Sequence, residues 1–181
     1  MSIEIEKQIQ ELQKKVEKLE KGTKDQMTIV VFSGDLDKLL AAMIIATGAT
    51  AMDTKVKLFF TFWATAALRD LKKKGEGKNF MSKMFGMMLP KGNTKVKLSK
   101  MNMGGMGTSM MKSLMKKKNV ASLEEMFKTA GELGVEIGIC EMSMDLMGFS
   151  IDEMIDYPHM EVCGVASFLV DAEESKVQLF I

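Results

Sequence analysis

The feature that most constrains the fold is an alternation of buried-strand runs with helical spacing. Met27–Phe32 is a continuous apolar run rich in β-branched residues, which is typical of a strand buried on both faces. Ser33, Gly34 and Asp35 follow it as a turn. Apolar residues then recur at helical spacing, at Leu36, Leu39, Leu40, Met43 and Ile44. This order predicts a strand, a turn and a helix, which is the beginning of a βαβ unit.

The same order returns along the rest of the chain. We predict strands near 56–61, over Val135–Cys140 and near 176–181, and helices near 64–74, 122–133 and 164–174. Strands that alternate with helices form parallel sheets with right-handed crossovers and with helices on both faces. The sequence therefore predicts an α/β fold, a three-layer sandwich around a mainly parallel sheet of about five strands.

Residues 1–26 carry a different pattern and form a separate unit in this prediction. Apolar residues spaced four and three apart form a heptad stripe, at Ile5, Ile9, Leu12, Val16 and Leu19. The stripe predicts a coiled-coil-like helix over about 3–21 and a linker over 21–26, ahead of the α/β domain at 27–181. Fewer than three heptads pair weakly, so two alternatives stay open. The stripe pairs with another chain, or it packs on its own domain.

Cysteine content and hydropathy indicate a cytoplasmic setting. The 181 residues include two cysteines, Cys140 and Cys163, which are too few for a disulfide framework. No apolar run is long enough to span a bilayer, and the first residues lack the pattern of a secretory leader. We therefore expect the protein to work in a reducing cytoplasm.

A basic, methionine-rich insert lies at about 75–118. From Lys72 to Lys118 the chain has thirteen lysines and one acidic residue, a formal charge of +12, although the whole chain carries +1. Ten of the 20 methionines lie between Met81 and Met115, and apolar positions 81, 84, 85 and 88 follow helical spacing. An adaptable apolar face beside lysines favours an acidic protein or peripheral contact with an anionic membrane.

Other interpretations of this insert stay open. It is also compatible with a lid that packs on its own core or on a neighbouring subunit, or with a Cu(I) site built from thioethers. Nucleic acid is disfavoured as a partner, because the lysines are not accompanied by arginine or by a series of aromatic residues.

Candidate site residues gather at one edge of the predicted sheet. In parallel sheets, ligands bind where strands end and helices begin, and a thiol at such a junction can be kept as a thiolate by helix N–H groups. Cys140 is therefore the candidate nucleophile. The predicted pocket and anion-stabilising residues are Ser33, Gly34, Asp35, Thr61, Trp63 and Ser143. The alternative is that Cys140 and Trp63 simply pack in the core. His159 is the only histidine, so we predict no metal site.

Four stretches of the sequence resemble the signatures of one family. They read IVVFSGDLDKLLAAMIIATGA, VKLFFTFWATAALR, LSKMNMGGMGTSMM and CEMSMDLMGF. Together they look like the DsrE/DsrF-like sulfur-carrier family, in its methionine-rich second DsrE-type branch, whose members are often labelled as peroxiredoxin-family proteins. The resemblance covers about 27–181, and it implies a compact α/β sandwich, a homo-oligomer and sulfur trafficking in the cytoplasm.

The resemblance also implies a role for Cys140, whereas the role of Cys163 rests on this sequence alone. Cys140 matches the family's characteristic cysteine, which accepts sulfane sulfur or thiosulfonate from a rhodanese-like or TusA-like protein and passes it on without a cofactor. We expect a sulfur carrier or sulfurtransferase, and leave open whether turnover is enzymatic. Cys163 either resolves a persulfide by forming a disulfide with Cys140 or only packs. The alternative function is a non-catalytic protein- or membrane-docking module that acts through the insert.

Overall fold

A computed structural model describes residues 2–22, 24–73, 75, 84, 86 and 88–181. Its strands are β1 (Lys24–Val31), β2 (Lys55–Phe60), β3 (Glu136–Cys140), β4 (Met160–Cys163) and β5 (Ser175–Phe180). Its α-helices are α1 (Ser2–Gly22), α2 (Leu36–Thr50), α3 (Met106–Lys117), α4 (Leu123–Glu132), α5 (Glu141–Met147) and α6 (Val165–Glu174). Short 3-10 helices span Phe62–Leu68, Met103–Gly105 and Ile151–Glu153.

The five described strands form one parallel sheet, in the order β4-β3-β2-β1-β5. This confirms the predicted α/β class and the mainly parallel sheet. The sequence pattern did not identify β4, because this edge strand has only four residues and none of them is buried. It therefore lacks the continuous apolar run that marked the central strands.

Helices cover both faces of the sheet and make three layers. On one face, α2 and α4 bury the apolar side chains of the central strands, and Phe127 of α4 lies 6.0 Å from Phe60 between ring centroids. On the opposite face, Phe168 of α6 stacks on Phe59 at 4.8 Å. Because successive strand residues point to opposite faces, each central strand contributes to both layers.

Two boundaries differ from the sequence prediction. Within the predicted linker over 21–26, residues 21–22 end α1 and residues 24–26 begin β1. Polar residues extend this strand because the Gln26 amide donates to the Ser175 hydroxyl at 3.0 Å and to the Asp171 carbonyl at 3.1 Å. The predicted helix over 64–74 is a 3-10 helix that ends at Leu68, because Arg69 turns to an extended bridge with Met154.

Four of the five residues of the heptad stripe of α1 lie in solvent. Ile5, Ile9, Leu12 and Val16 are between 48% and 61% exposed, so this part of the stripe does not pack on the α/β domain. Of the two alternatives, the structure disfavours packing on the domain. Pairing with another chain stays a prediction.

The described part of the insert is anchored on the N-terminus of α2. The Lys97 carbonyl accepts from the Leu36 N–H at 2.8 Å, and Ser99 donates to the Asp37 carboxylate at 2.6 and 2.8 Å. Val96 is buried in the core. Of the predicted helical face at 81, 84, 85 and 88, positions 81 and 85 lie outside the described residues, and positions 84 and 88 are helical. The helix α3 was not predicted from the sequence.

Candidate functional site

Three neighbouring strands bring the predicted site residues to one edge of the sheet. Ser33 follows β1, Thr61 follows β2, and Cys140 is the last residue of β3 and the residue that caps α5. Ile137 and Ile139 of β3 point into the apolar core, so Cys140 faces the opposite side of the sheet. The chain then turns at once into α5, which places the first N–H groups of that helix near the sulfur.

Hydrogen-bond donors surround the Cys140 sulfur. Burial alone raises the pKa of this thiol, but hydrogen bonds from the hydroxyls of Ser143 and Thr61 and from the N–H groups of Ser143 and Met142 outweigh it. The pKa of Cys140 is therefore held below its ordinary value. We call these three residues, Thr61, Cys140 and Ser143, the thiolate cradle.

The Ser143 hydroxyl belongs to a small hydrogen-bond network with Thr61 and Phe62. Its Oγ accepts a hydrogen bond from the Phe62 N–H at 2.9 Å and lies 2.9 Å from the Thr61 hydroxyl. The hydroxyls of Ser143 and Thr61 each carry one hydrogen. Whichever of the two donates to the other, the hydrogen of the second hydroxyl remains free to point to the Cys140 sulfur. Phe62 has a φ of 45°, in the left-handed region that L-residues rarely adopt. The bond to Ser143 supports this strained backbone.

The cradle is closed in the isolated chain. Cys140 is 1% exposed, although sulfur exchange requires that another thiol reach it. The sulfur is covered because α5 begins directly at Cys140 and because Thr61 and Ser143 are themselves buried. Large apolar side chains nearby are exposed on the same edge, namely those of Trp63, Met142 and Leu146.

The other predicted pocket residues form a separate site. Ser33, Gly34, Asp35 and Trp63 line a cavity of about 200 Å³, and of its described lining residues none belongs to the cradle. The Ser33 hydroxyl donates to the Asp35 carboxylate at 2.8 Å, which closes the turn. A side chain at Gly34 would place its Cβ 2.5 Å from the Trp63 carbonyl oxygen, so this close approach requires glycine. Only Thr61 and Ser143 of the six predicted residues meet the sulfur.

Cys163 lies beside Cys140 across two strands. The two cysteines are register partners in the parallel pair β3 and β4. Cys163 is half-buried and lines a cavity of about 370 Å³ on the α6 face of the sheet. The pKa of Cys163 is raised to about 11, mainly by burial and next by the negative charge of the nearby Glu161. The sequence carried no signal for this pairing, because β4 itself was not predicted.

The same cavity contains a charged cluster that the sequence analysis missed. The Lys57 ammonium contacts the carboxylates of Asp171 at 2.5 Å and Glu136 at 3.4 Å. Although burial lowers the pKa of Lys57, these two carboxylates raise it above its ordinary value. His159 lines the cavity as well. Across the described ranges, no group of three or more His, Cys, Asp or Glu side chains is placed to hold a metal ion.

An exposed apolar face lies on the described part of the insert. It includes the side chains of Met101, Met103, Met106 and Met110, which are between 63% and 77% exposed. Lysines flank this face along α3 and the loop before it, including Lys100, Lys116 and Lys117. Within the part of the chain that the structure describes, no helix is both long and apolar enough to cross a membrane.

Known proteins resemble this chain over most of its length. A family model described as the DsrE/DsrF/DrsH-like family matches residues 23–180. The chain is 49% identical over 154 residues to the uncharacterized protein YrkE of Bacillus subtilis, which covers 85% of this chain and 95% of that relative. It is 36% identical over 160 residues to the sulfur carrier protein DsrE2 of Allochromatium vinosum, which covers 86% of this chain and 98% of that relative.

A solved structure shares the fold. The crystal structure of the ychN protein from E. coli superposes with a TM-score of 0.50 at 15% sequence identity, and covers 86% of this chain and 98% of that chain. At this identity the likeness concerns the fold alone.

Proposed function

This chain belongs to the DsrE/DsrF/DrsH-like family, and from that membership we propose that it is a sulfur carrier or sulfurtransferase that holds sulfane sulfur on Cys140. The family and the DsrE2 relative support a role in sulfur transfer. The observation that carries the assignment to this residue is the thiolate cradle, because the pKa of Cys140 is lowered by donors that also suit a persulfide anion.

The transfer needs no change in net oxidation state. The Cys140 thiolate attacks the outer sulfur of a donor persulfide, the new Sγ–S bond forms, and the donor leaves as a thiolate. An acceptor thiolate then attacks the outer sulfur on Cys140 and regenerates the Cys140 thiolate. The hydroxyls of Thr61 and Ser143 stabilise the negative charge on sulfur before and after each step.

A partner protein supplies access to the buried sulfur in this proposal. Trp63, Met142 and Leu146 expose apolar surface next to the cradle, and such surface suits docking by another protein. We propose rhodanese-like or TusA-like sulfur carriers as these partners, in the reducing cytoplasm, with this chain acting as a homo-oligomer. Docking on these side chains would displace the first turn of α5 and open the way to Cys140.

Loading with sulfur followed by intact-mass measurement tests the proposal. Incubation with a sulfane-sulfur donor should add one sulfur, about 32 Da, as an adduct that a thiol reductant removes. Cys140→Ser should abolish the adduct, whereas Cys163→Ser is the matched control and should still load. Equal loading of the Cys140→Ser variant, or none in the unmodified protein, would show that Cys140 is not the carrier.

A second candidate function rests on the exposed methionine face of the insert. Methionines that lie in solvent beside lysines suit a docking module for an anionic membrane or an acidic protein. Binding to vesicles with anionic lipid should weaken as salt rises. Replacing Met103, Met106 and Met110 together with Gln should weaken it at constant charge. Binding that salt and these replacements leave unchanged would contradict the docking function.

A further inference from the structure

The two cysteines occupy paired positions on adjacent strands. Cys140 and Cys163 are register partners on adjacent parallel strands, and neighbouring strands lie about 4.8 Å apart. Register partners project from the same face of a sheet. The two thiols therefore begin from neighbouring backbone positions on the α6 face.

The surroundings of the two sulfurs differ. Cys140 is buried in the thiolate cradle, whereas Cys163 lines the open cavity of about 370 Å³ beside Phe168. Gly138 provides room for the second sulfur, because a Cβ at this position would lie 2.7 Å from Cys163 Sγ. Sulfur held on Cys163 is thus nearer to solvent than sulfur held on Cys140.

Resting on the proposed function, we infer that Cys163 is a second sulfur carrier, which takes the sulfane sulfur from Cys140 and presents it at the cavity. The persulfide anion on Cys140 first accepts the proton of the Cys163 thiol. The Cys163 thiolate then attacks the outer sulfur, a bond from that sulfur to Cys163 Sγ forms, and its bond to Cys140 Sγ breaks. Cys140 leaves as a thiolate, the proton stays on the transferred sulfur, and no oxidant or reductant is consumed.

The acidities of the two thiols give this step a direction and a pH dependence. Cys140 is the better leaving group because its pKa is lowered, and Cys163 is the stronger nucleophile once ionised because its pKa is raised to about 11. Burial raises the pKa of Cys163, and Glu161 on β4, Cys140 on β3 and Asp171 on α6 raise it further, against Lys57 on β2. The step begins from a persulfide anion and a Cys163 thiol and keeps their single proton, so its rate should not change with pH while these two forms are present. It should fall as pH rises through about 11, where Cys163 loses that proton.

Time-resolved mapping of the persulfide tests the relay. The full chain is loaded with a small sulfane-sulfur donor, alkylated at intervals and cleaved at acidic or aromatic residues, because no lysine or arginine separates Cys140 from Cys163. The label should appear first on Cys140 and then on Cys163. Cys140→Ser should lower the label on Cys163 at least tenfold, and Cys163→Ser should keep all of it on Cys140.

A displaced thiol provides the matched control. Val162→Cys in the Cys163→Ser background moves the thiol by one residue to the opposite face of the sheet, where Val162 is 40% exposed, and it should receive no sulfur. Label confined to Cys140 in the unmodified protein would overturn the relay alone. So would equal label on Cys163 after Cys140→Ser, transfer to the displaced thiol, or a Cys140–Cys163 disulfide with release of sulfide. If no residue of the protein takes up sulfur, both the proposed function and the relay are overturned.

Discussion

Removal of the Ser143 hydroxyl is the most direct perturbation of the thiolate cradle. Ser143 is fully buried, and its Oγ already accepts from the Phe62 N–H at 2.9 Å. Its own hydrogen can therefore point to the Cys140 sulfur. We expect Ser143→Ala to raise the pKa of Cys140 and to slow sulfur loading at neutral pH. Loading needs the thiolate, so its rate falls as pH drops through this pKa, and the variant moves that fall to higher pH.

The size of the effect follows from the charge on the acceptor. A hydrogen bond to a charged group contributes about 1.5–3 kcal/mol, and about 1.4 kcal/mol corresponds to a tenfold change in an equilibrium. The ratio of thiolate to thiol on Cys140 should thus fall about 10-fold to 100-fold at fixed pH. Thr61→Val should have a smaller effect, because the Ser143 hydroxyl lowers the pKa of Cys140 more than the Thr61 hydroxyl does. Ser143→Ala also leaves the Phe62 N–H without this acceptor, which costs about 1–3 kcal/mol of stability.

Thiolate absorbance in a Cys163→Ser background measures this pKa, because Cys140 is then the only thiol. Interference is small, since Tyr157 is the only tyrosine and burial raises its pKa. Thr65→Val is the control for loss of a buried hydroxyl. Thr65 Oγ1 has no hydrogen-bond partner among the residues that the structure describes, so this change should leave the pKa of Cys140 where it is.

Two results would refute the reasoning. One is a Ser143→Ala variant that titrates like its parent, which would mean that the hydroxyl does not stabilise the thiolate. The other is a Thr65→Val variant that raises the pKa of Cys140 as much as Ser143→Ala does. That result would assign the effect to a general change of packing in this region.

Three further predictions concern stability and assembly. Glu153→Ala should lower the free energy of unfolding by about 3–5 kcal/mol in denaturant titration, because it leaves Arg69, 4% exposed, without its carboxylate partner at 3.2 Å; a loss below about 1 kcal/mol would contradict this. Tyr157→Phe should cost about 1 kcal/mol at neutral pH by removing the bond to the Val135 carbonyl. The pKa of Tyr157 is higher in the folded than in the unfolded state, so its contribution to stability is lost as pH rises above about 10. Above this pH the variant should therefore lose less stability than the unmodified protein, and an unchanged alkaline profile would count against this. Removal of residues 1–22 should lower the oligomeric mass in light scattering, and an unchanged mass across dilution would argue against pairing through α1.

Much of the fold could be predicted from local patterns. The apolar run at Met27–Phe32 and the helical spacing after it are set by residues next to each other in the chain, and β1 and α2 lie where those patterns place them. Cys140 could be placed at a junction of strand and helix for the same reason. The short strand β4 could not be found, because an exposed edge strand of four residues has no periodic signal.

The sequence by itself determined the parallel α/β class, the heptad stripe of α1 and the position of Cys140 at the end of a strand. Only the tertiary structure decided which groups meet the sulfur. Thr61 and Ser143 are 82 residues apart, yet their hydroxyls lie 2.9 Å from each other. Cys163 is paired with Cys140 by the register of β3 and β4. Side-chain periodicity is a local property of the backbone, whereas strand order and register depend on how distant segments bury their apolar faces together.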